Sequence, residues 1–213
     1  MAEVLWDANH PGVYIDDRFG ASFKHNTIQA LNKIASRPVG ADLLKILSKR
    51  HLGIGTAVGK KVVIALGQGT LAVKSVRHTH QSSTGGGTEV RKAPIVGTAM
   101  RLPGSGQGSA VQYNPNVEHQ YTAAARVKTP VFVALAHELI HALHSISGDV
   151  VKAYSWTNGV GGSSCGAILE EARTVGLGIS ARTRISENAI RREHGLPQRR
   201  FYSTPGDCDN LVR

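Results

Sequence analysis

Thr129-Pro130-Val131-Phe132-Val133-Ala134-Leu135-Ala136-His137-Glu138-Leu139-Ile140-His141-Ala142-Leu143-His144-Ser145-Ile146-Ser147-Gly148 is the stretch on which the reading of the chain turns. Both ends carry helix signals. Thr129 suits an N-cap, Pro130 suits the first helical position, where no N–H is needed, and Gly148 offers a left-handed stop. Between them the residues are apolar nearly all round, which predicts a helix buried in the centre of the domain. Two histidines and a glutamate in such a helix need a reason, and the spacing His-Glu-x-x-His supplies one. Residues four apart share a helix face, so His137 and His141 reach one ion while Glu138 faces its water. The alternative is a set of polar residues buried in mutual hydrogen bonds. The pattern also occurs by chance in solvated helices, but the capped apolar setting here favours one zinc ion per chain.

A hydrolytic zinc site needs a third protein ligand and an open position for water. A third histidine in H-E-x-x-H-x-x-G-x-x-H would fall at position 147, which is Ser147, and the glycine position holds His144. His144 lies on the ligand face about ten ångströms along the axis from His137, which suits a supporting or plain core role. Downstream, Cys165-Gly-Ala-Ile168-Leu-Glu170-Glu171-Ala-Arg173-Thr174-Val175-Gly176 reads as a second helix. Ile168, Glu171 and Val175 share one face by helical spacing. A carboxylate in an apolar stripe is costly unless paired or bound to metal, so Glu171 is the expected ligand. Glu170 is expected on a more polar side, paired with Arg173. A solvated acidic pair is the bland alternative for both.

The remaining chain reads as α+β. The first twenty residues look irregular. Asn26-Thr27 caps a helix carrying Ile28, Leu31, Ile34 and Ala35, and a second helix with Leu43, Leu44, Ile46 and Leu47 inward completes a helical hairpin over about 26–52. Val62–Leu66 and Leu71–Val76 read as strands of a hairpin, and Ser109–Asn114 as an edge strand before the metal helix. The segments 81–88 and 103–108 are glycine-rich loops. Two phosphate-loop look-alikes around Gly53–Lys61 fail at required positions. A zinc-binding core is expected over about 109–202, within one domain spanning 1–213.

Composition sets the class. The chain has 213 residues, 41% apolar and 19% charged, as in soluble globular proteins. No run approaches the ~18 apolar residues of a membrane span, and Met1–Asp7 does not open like a signal peptide. Cys165 and Cys208 are too few for a disulfide scaffold; free thiols in a reducing compartment are expected, with a single bridge as the alternative. The net charge of +10 favours acidic partners. Basic residues concentrate at Arg182, Arg184, Arg191, Arg192, Arg199 and Arg200 without interleaved aromatics, so nucleic acid is set aside, as is membrane.

With these residues in view, a resemblance emerges. His137-Glu-Leu-Ile-His141-Ala142 with His144 resembles the zinc helix of the clostridial neurotoxin light chains. Glu170-Glu171-Ala-Arg173-Thr174-Val-Gly176 resembles their second zinc segment, where the second glutamate is the ligand. The chain is more broadly similar to the NleD/HopH/XopG type III effector metalloproteases, which share a tail like Glu187-Asn188…Arg191…Gly195-Leu196-Pro197-x-Arg199-x-x-Tyr202. The spacing of 30 residues from His141 to Glu171 is shorter than in the neurotoxins, so their substrate-wrapping surface and substrates do not carry over.

The resemblance implies a zincin-like fold and a zinc endopeptidase secreted by a bacterial type III system into the host-cell cytoplasm. It also implies a host protein substrate, a MAP kinase in one branch, and Arg199 and Tyr202 beside the zinc, supporting the reacting carbonyl. Read without the family, Arg199 and Tyr202 would be a basic surface patch with a half-buried tyrosine. The expected mechanism uses His137, His141 and Glu171 as ligands and Glu138 as general base, in a monomer. Two other classes stay open: a basic binding module with a structural zinc, for which Cys165 is the nearby extra ligand, and a zinc hydrolase of a non-peptide bond.

Overall fold

Short β-branched runs build the main sheet, and the helices close one core against it. The computed structural model describes residues 3–51, 61–66, 76–80, 87–92, 99–102, 108–116, 119–122, 127–148, 150–151 and 165–200. Strands β1 (Glu3–Leu5) and β2 (Val13–Asp16) come first, followed by helices α1 (Gly20–Ala35) and α2 (Pro38–His51). Then come β3 (Val62–Leu66), β4 (Val76–His80), β5 (Gly87–Lys92), β6 (Ala99–Leu102) and β7 (Ser109–Tyr113). A pair formed by β8 (His119–Thr122) and β9 (Val127–Pro130) leads directly into α3 (Val131–Ile146). Strand β10 (Val150–Val151) and helices α4 (Cys165–Val175) and α5 (Glu187–Glu193) complete the order.

The main sheet has the order β1-β2-β3-β7-β4. Its inner strands β2, β3 and β7 are parallel, while β1 and β4 pair antiparallel at the two sides. Register aligns Val13 with Val62 and Ser109, and Ile15 with Ile64 and Val111, so two rows of side chains share a face. All six are fully buried, as expected of strands covered by helices. Strand β5 pairs antiparallel with β6 and parallel with β10.

Leu31 and Ile34 of α1, Leu43, Leu44 and Leu47 of α2, and Leu135, Leu139 and Ile140 of α3 join that sheet face in one cluster. Truncating a buried Leu or Ile to Ala costs about 2–5 kcal/mol, against about 1 kcal/mol for a helix cap. Packing therefore seats α3, and it tolerates the absence of a side-chain cap at Pro130, its observed N-cap residue. Gly148 at φ 66° turns the chain after the helix. Among the described residues no helix is long and apolar enough to cross a membrane.

Several expectations are corrected. The opening residues form β1 and β2, because Val13 and Ile15 alternate inward as a strand. Helix α1 starts at Gly20, not at Asn26, and the Thr27 hydroxyl donates to the Phe23 carbonyl within it. Strand β3 does not pair in a hairpin with the next strand along the chain; its neighbours are β2 and β7, and residues 67–75 lie outside the described residues. Strand β7 is not an edge: with Ser109, Val111 and Tyr113 buried it fits between β3 and β4, and β4 is outermost among the described residues. Thr129 lies within β9, and its hydroxyl accepts from Arg191 Nη2 at 2.5 Å instead of capping α3.

Candidate metal centre

Helix α3 presents His137 and His141 on one face, with ring centroids 4.8 Å apart. Helix α4 lays Glu171 across them. His137 Nε2 is 3.1 Å from His141 Nε2, and Glu171 Oε2 is 2.9 Å from the first and 3.2 Å from the second. Three ligands held at 2.0–2.1 Å around a tetrahedral ion would stand about 3.3 Å from one another. The observed triangle is close to that spacing, so the donor set and its geometry fit a zinc ion.

The outer ring nitrogens support the same reading. His137 Nδ1 lies 2.8 Å from Glu187 Oε2, and His141 Nδ1 lies 3.3 Å from Glu170 Oε1 and from Thr174 Oγ1. A carboxylate at Nδ1 holds the proton there and turns the Nε2 lone pair toward the shared point. Two lone pairs and a carboxylate aimed at one another repel unless a cation or protons lie between them. In the metal-free chain protons take that place. Burial pushes both histidines down, but hydrogen bonds to Glu171 and Glu187 raise His137 to about 10, and those to Glu170 and Glu171 raise His141 to about 9. Burial pushes Glu171 up, yet its bonds to the two imidazoles hold it well below the usual carboxylate range. The Glu171 side chain keeps 25% exposure while Glu170 and Glu187 are buried, so the centre opens to solvent past Glu171.

Glu170 departs from expectation. It is buried beneath α3, with Oε1 at 3.3 Å from His141 Nδ1 and 2.5 Å from His144 Nδ1. Its approach to Arg173 is a loose 3.9 Å. His144 is buried and supports the centre through Glu170. The two groups His137-His141-Glu171 and His141-His144-Glu170 therefore share His141, one through Nε2 and the other through Nδ1.

Helix α5 contributes residues that sequence reasoning does not single out as interior. Ser186 caps it by accepting from the Ala189 N–H. Glu187, in the first turn, accepts from His137 Nδ1 at 2.8 Å, Arg191 Nε at 2.6 Å and Arg199 Nη1 at 2.9 Å. Burial pushes its carboxyl up, but the imidazole bond, and after it the charges of Arg199 and Arg191, hold it well below the usual range. Arg191 is fully buried and also donates to the Lys128 and Pro197 carbonyls. Arg191 and Arg199 are both interior, so the surface patch that Arg199 would suggest when read without the family is not what the fold builds. A Glu and an Arg four apart on a short helix ordinarily read as a surface pair; the signal against that is their apolar flank of Ala189 and Ile190.

Gly176 brings α4 and α5 together. Its φ is 82°, and a Cβ there would meet the Ser186 side chain at 2.6 Å. Only glycine allows that approach without displacing the α5 cap. Glu138 is half-buried on α3 beside His137. Tyr202, its rival Tyr154, and Cys208 lie outside the described residues, as does the Cys165 side chain.

The chain resembles the Clostridium botulinum neurotoxin serotype F light chain at 18% identity and TM-score 0.41, over 72% of this chain and 44% of that one. It resembles the botulinum neurotoxin type G light chain at 14% identity and TM-score 0.49, over 94% and 61%. The chain spans about half the length of the light chains it matches. No curated protein matches it. The model of one peptidase family, Peptidase_M91, described as effector protein, matches residues 13–202. That match takes in every strand and helix from β2 to α5 together with the centre they build, and the chain belongs to this family of effector peptidases.

Proposed function

We propose that the chain is a zinc-dependent endopeptidase, delivered as an effector into a host cell, where it cuts a host protein. The observation that carries this reading is the triangle of His137 Nε2, His141 Nε2 and Glu171 Oε2, each imidazole backed by a carboxylate. Zinc held there would supply a Lewis acid that acidifies water and polarises a carbonyl. The residues do the rest. Glu138, next to His137, takes the proton of the attacking water on its carboxylate and passes it to the leaving amine. Arg199, fixed by Glu187, and Tyr202, three residues on, donate to the carbonyl oxygen as it gains charge. Glu170 and Glu187 hold the imidazoles in the tautomer that leaves Nε2 open.

The test compares new protein N-termini in host extract treated with wild type and with Glu138→Gln. Wild type should generate a discrete set absent from the variant, which should keep its zinc while losing about 10²–10⁴ in rate. Equal cleavage by both, or loss of metal from Glu138→Gln, would remove Glu138 from the role of base. No cleavage by zinc-loaded wild type would overturn the peptidase assignment.

A further inference from the structure

Once helix α5 ends, the chain doubles back toward the metal centre, and the helix grips the returning segment at successive points. Gly195 at φ 66° makes the turn. Leu196 N–H donates to the Arg191 carbonyl at 2.8 Å, and the Arg191 side chain donates to the Pro197 carbonyl at 3.2 Å. At the end nearest the metal, Asn188 takes hold of Arg199. Asn188 Nδ2 donates to the Arg199 carbonyl at 2.8 Å, and the Arg199 N–H donates to Asn188 Oδ1 at 2.8 Å. Both residues are buried.

This pairing works like one rung of a β-ladder made by a side chain. A carboxamide gives and accepts at once in that way; an ionised carboxylate accepts at both oxygens and donates from neither. The reciprocal partners also fix which amide atom is which. Asn188 stands next to Glu187, whose Oε2 takes both His137 Nδ1 and Arg199 Nη1. Helix α5 therefore holds Arg199 twice, by its backbone through Asn188 and by its guanidinium through Glu187.

We infer that Asn188 is a positioning residue: by pairing with the Arg199 backbone it sets the Arg199 guanidinium beside the metal centre. It touches neither metal nor substrate and acts through Arg199. The kinetic part of this inference rests on the peptidase reading above; the pairing itself does not.

The test uses the full zinc-loaded chain carrying Asn188→Ala, with Asn188→Asp as the near-isosteric variant that keeps an acceptor for the Arg199 N–H and loses the donor. Amide hydrogen exchange at Arg199 should accelerate at least about tenfold in Asn188→Ala, since the Asn188 acceptor is gone, while α3 amides and zinc content stay as in wild type. On the substrate found in host extract, kcat should fall about 10²-fold with KM nearly unchanged, the cost of a small misplacement of reacting groups. Asn188→Asp should fall between Asn188→Ala and wild type. In an Arg199→Ala background, Asn188→Ala should add less than about threefold, because residues acting through one another are not additive. Wild-type protection of the Arg199 amide in Asn188→Ala would overturn the inference. So would zinc loss with slackened α3 amides, or kinetic losses that multiply in the double variant. If wild type cuts nothing, the peptidase reading fails and the exchange measurement alone decides the pairing.

Discussion

Replacing Glu187 with Gln keeps the shape and removes one charge from a buried carboxylate with three donors. Its oxygens accept from His137, Arg191 and Arg199, and only 1% of the residue is exposed. A glutamine has one accepting oxygen, so at least one of the three donors would face an NH₂ group. The larger cost is electrostatic, since two buried guanidiniums lose their shared counter-charge. Breaking a buried pair from one side costs about 3–5 kcal/mol. At about 2–4 °C per kcal/mol for a chain of this size, Tm should fall by about 6–20 °C. Zinc affinity should also fall about 10–100-fold as His137 Nδ1 loses its acceptor. Calorimetry of the loaded and chelated forms, with zinc competition against a chromophoric chelator, separates the two effects. The fall in Tm should persist after chelation, because the arginines stay buried with or without metal. A Tm within about 2 °C of wild type together with unchanged zinc affinity would refute the reasoning.

Other outcomes rest on the same geometry. Glu171→Ala should abolish stoichiometric zinc binding, while Glu170→Ala, which removes a partner of His141 and no ligand, should weaken it about 10–100-fold; metal analysis after dialysis distinguishes them. Tyr202→Phe should lower kcat about 10²–10³-fold with zinc content unchanged, and Tyr154→Phe should turn over near normally; the reverse pattern in steady-state kinetics would exchange their roles. In the metal-free chain His137 and His141 are raised from 6.5 to about 10 and about 9, so the stability they add is complete below pH 6.5 and is lost as pH rises through those values. Glu171 is lowered from 4.5, so its contribution is present above that pH and is lost on acidification. Thermal unfolding across pH should therefore show an alkaline decline in the chelated protein that the zinc-loaded protein lacks.

The parts of the centre legible in the sequence are those that depend on one helix at a time. His137 and His141 follow from four-residue spacing in an apolar helix, and Glu171 from its place in the stripe with Val175. Glu170 is misplaced by the same logic, because neighbours on a helix point about 100° apart and the one off the apolar stripe is expected on a more polar side. In the fold α3 runs on past His141 to His144, so a second carboxylate one residue away also finds imidazoles. Glu187 and Arg191 look like a surface pair until α5 packs against α3, and burial of that kind is set by tertiary arrangement. The central position of β7 is equally hidden. Its alternation marks a strand, but its partners β3 and β4 are chosen by contacts distant in sequence.

The way the centre is shared among three helices has a consequence for the order in which it can be made. During synthesis α3 emerges with α1, α2 and the main sheet already behind it, and its apolar faces have their partners at once. Its two imidazoles then wait for Glu171, 30 residues later, and for Glu187, 50 residues after His137. A metal ion captured early would have two nitrogens and no carboxylate, a weak hold. The centre is complete only with α4 against Ser186, an approach that Gly176 allows, and with the α5 glutamate on His137. A zinc ion bound there would act as a late fastener between the first-made body and the last-made helices, and a chelated chain should come apart in the opposite order, from residues 165–200 inward.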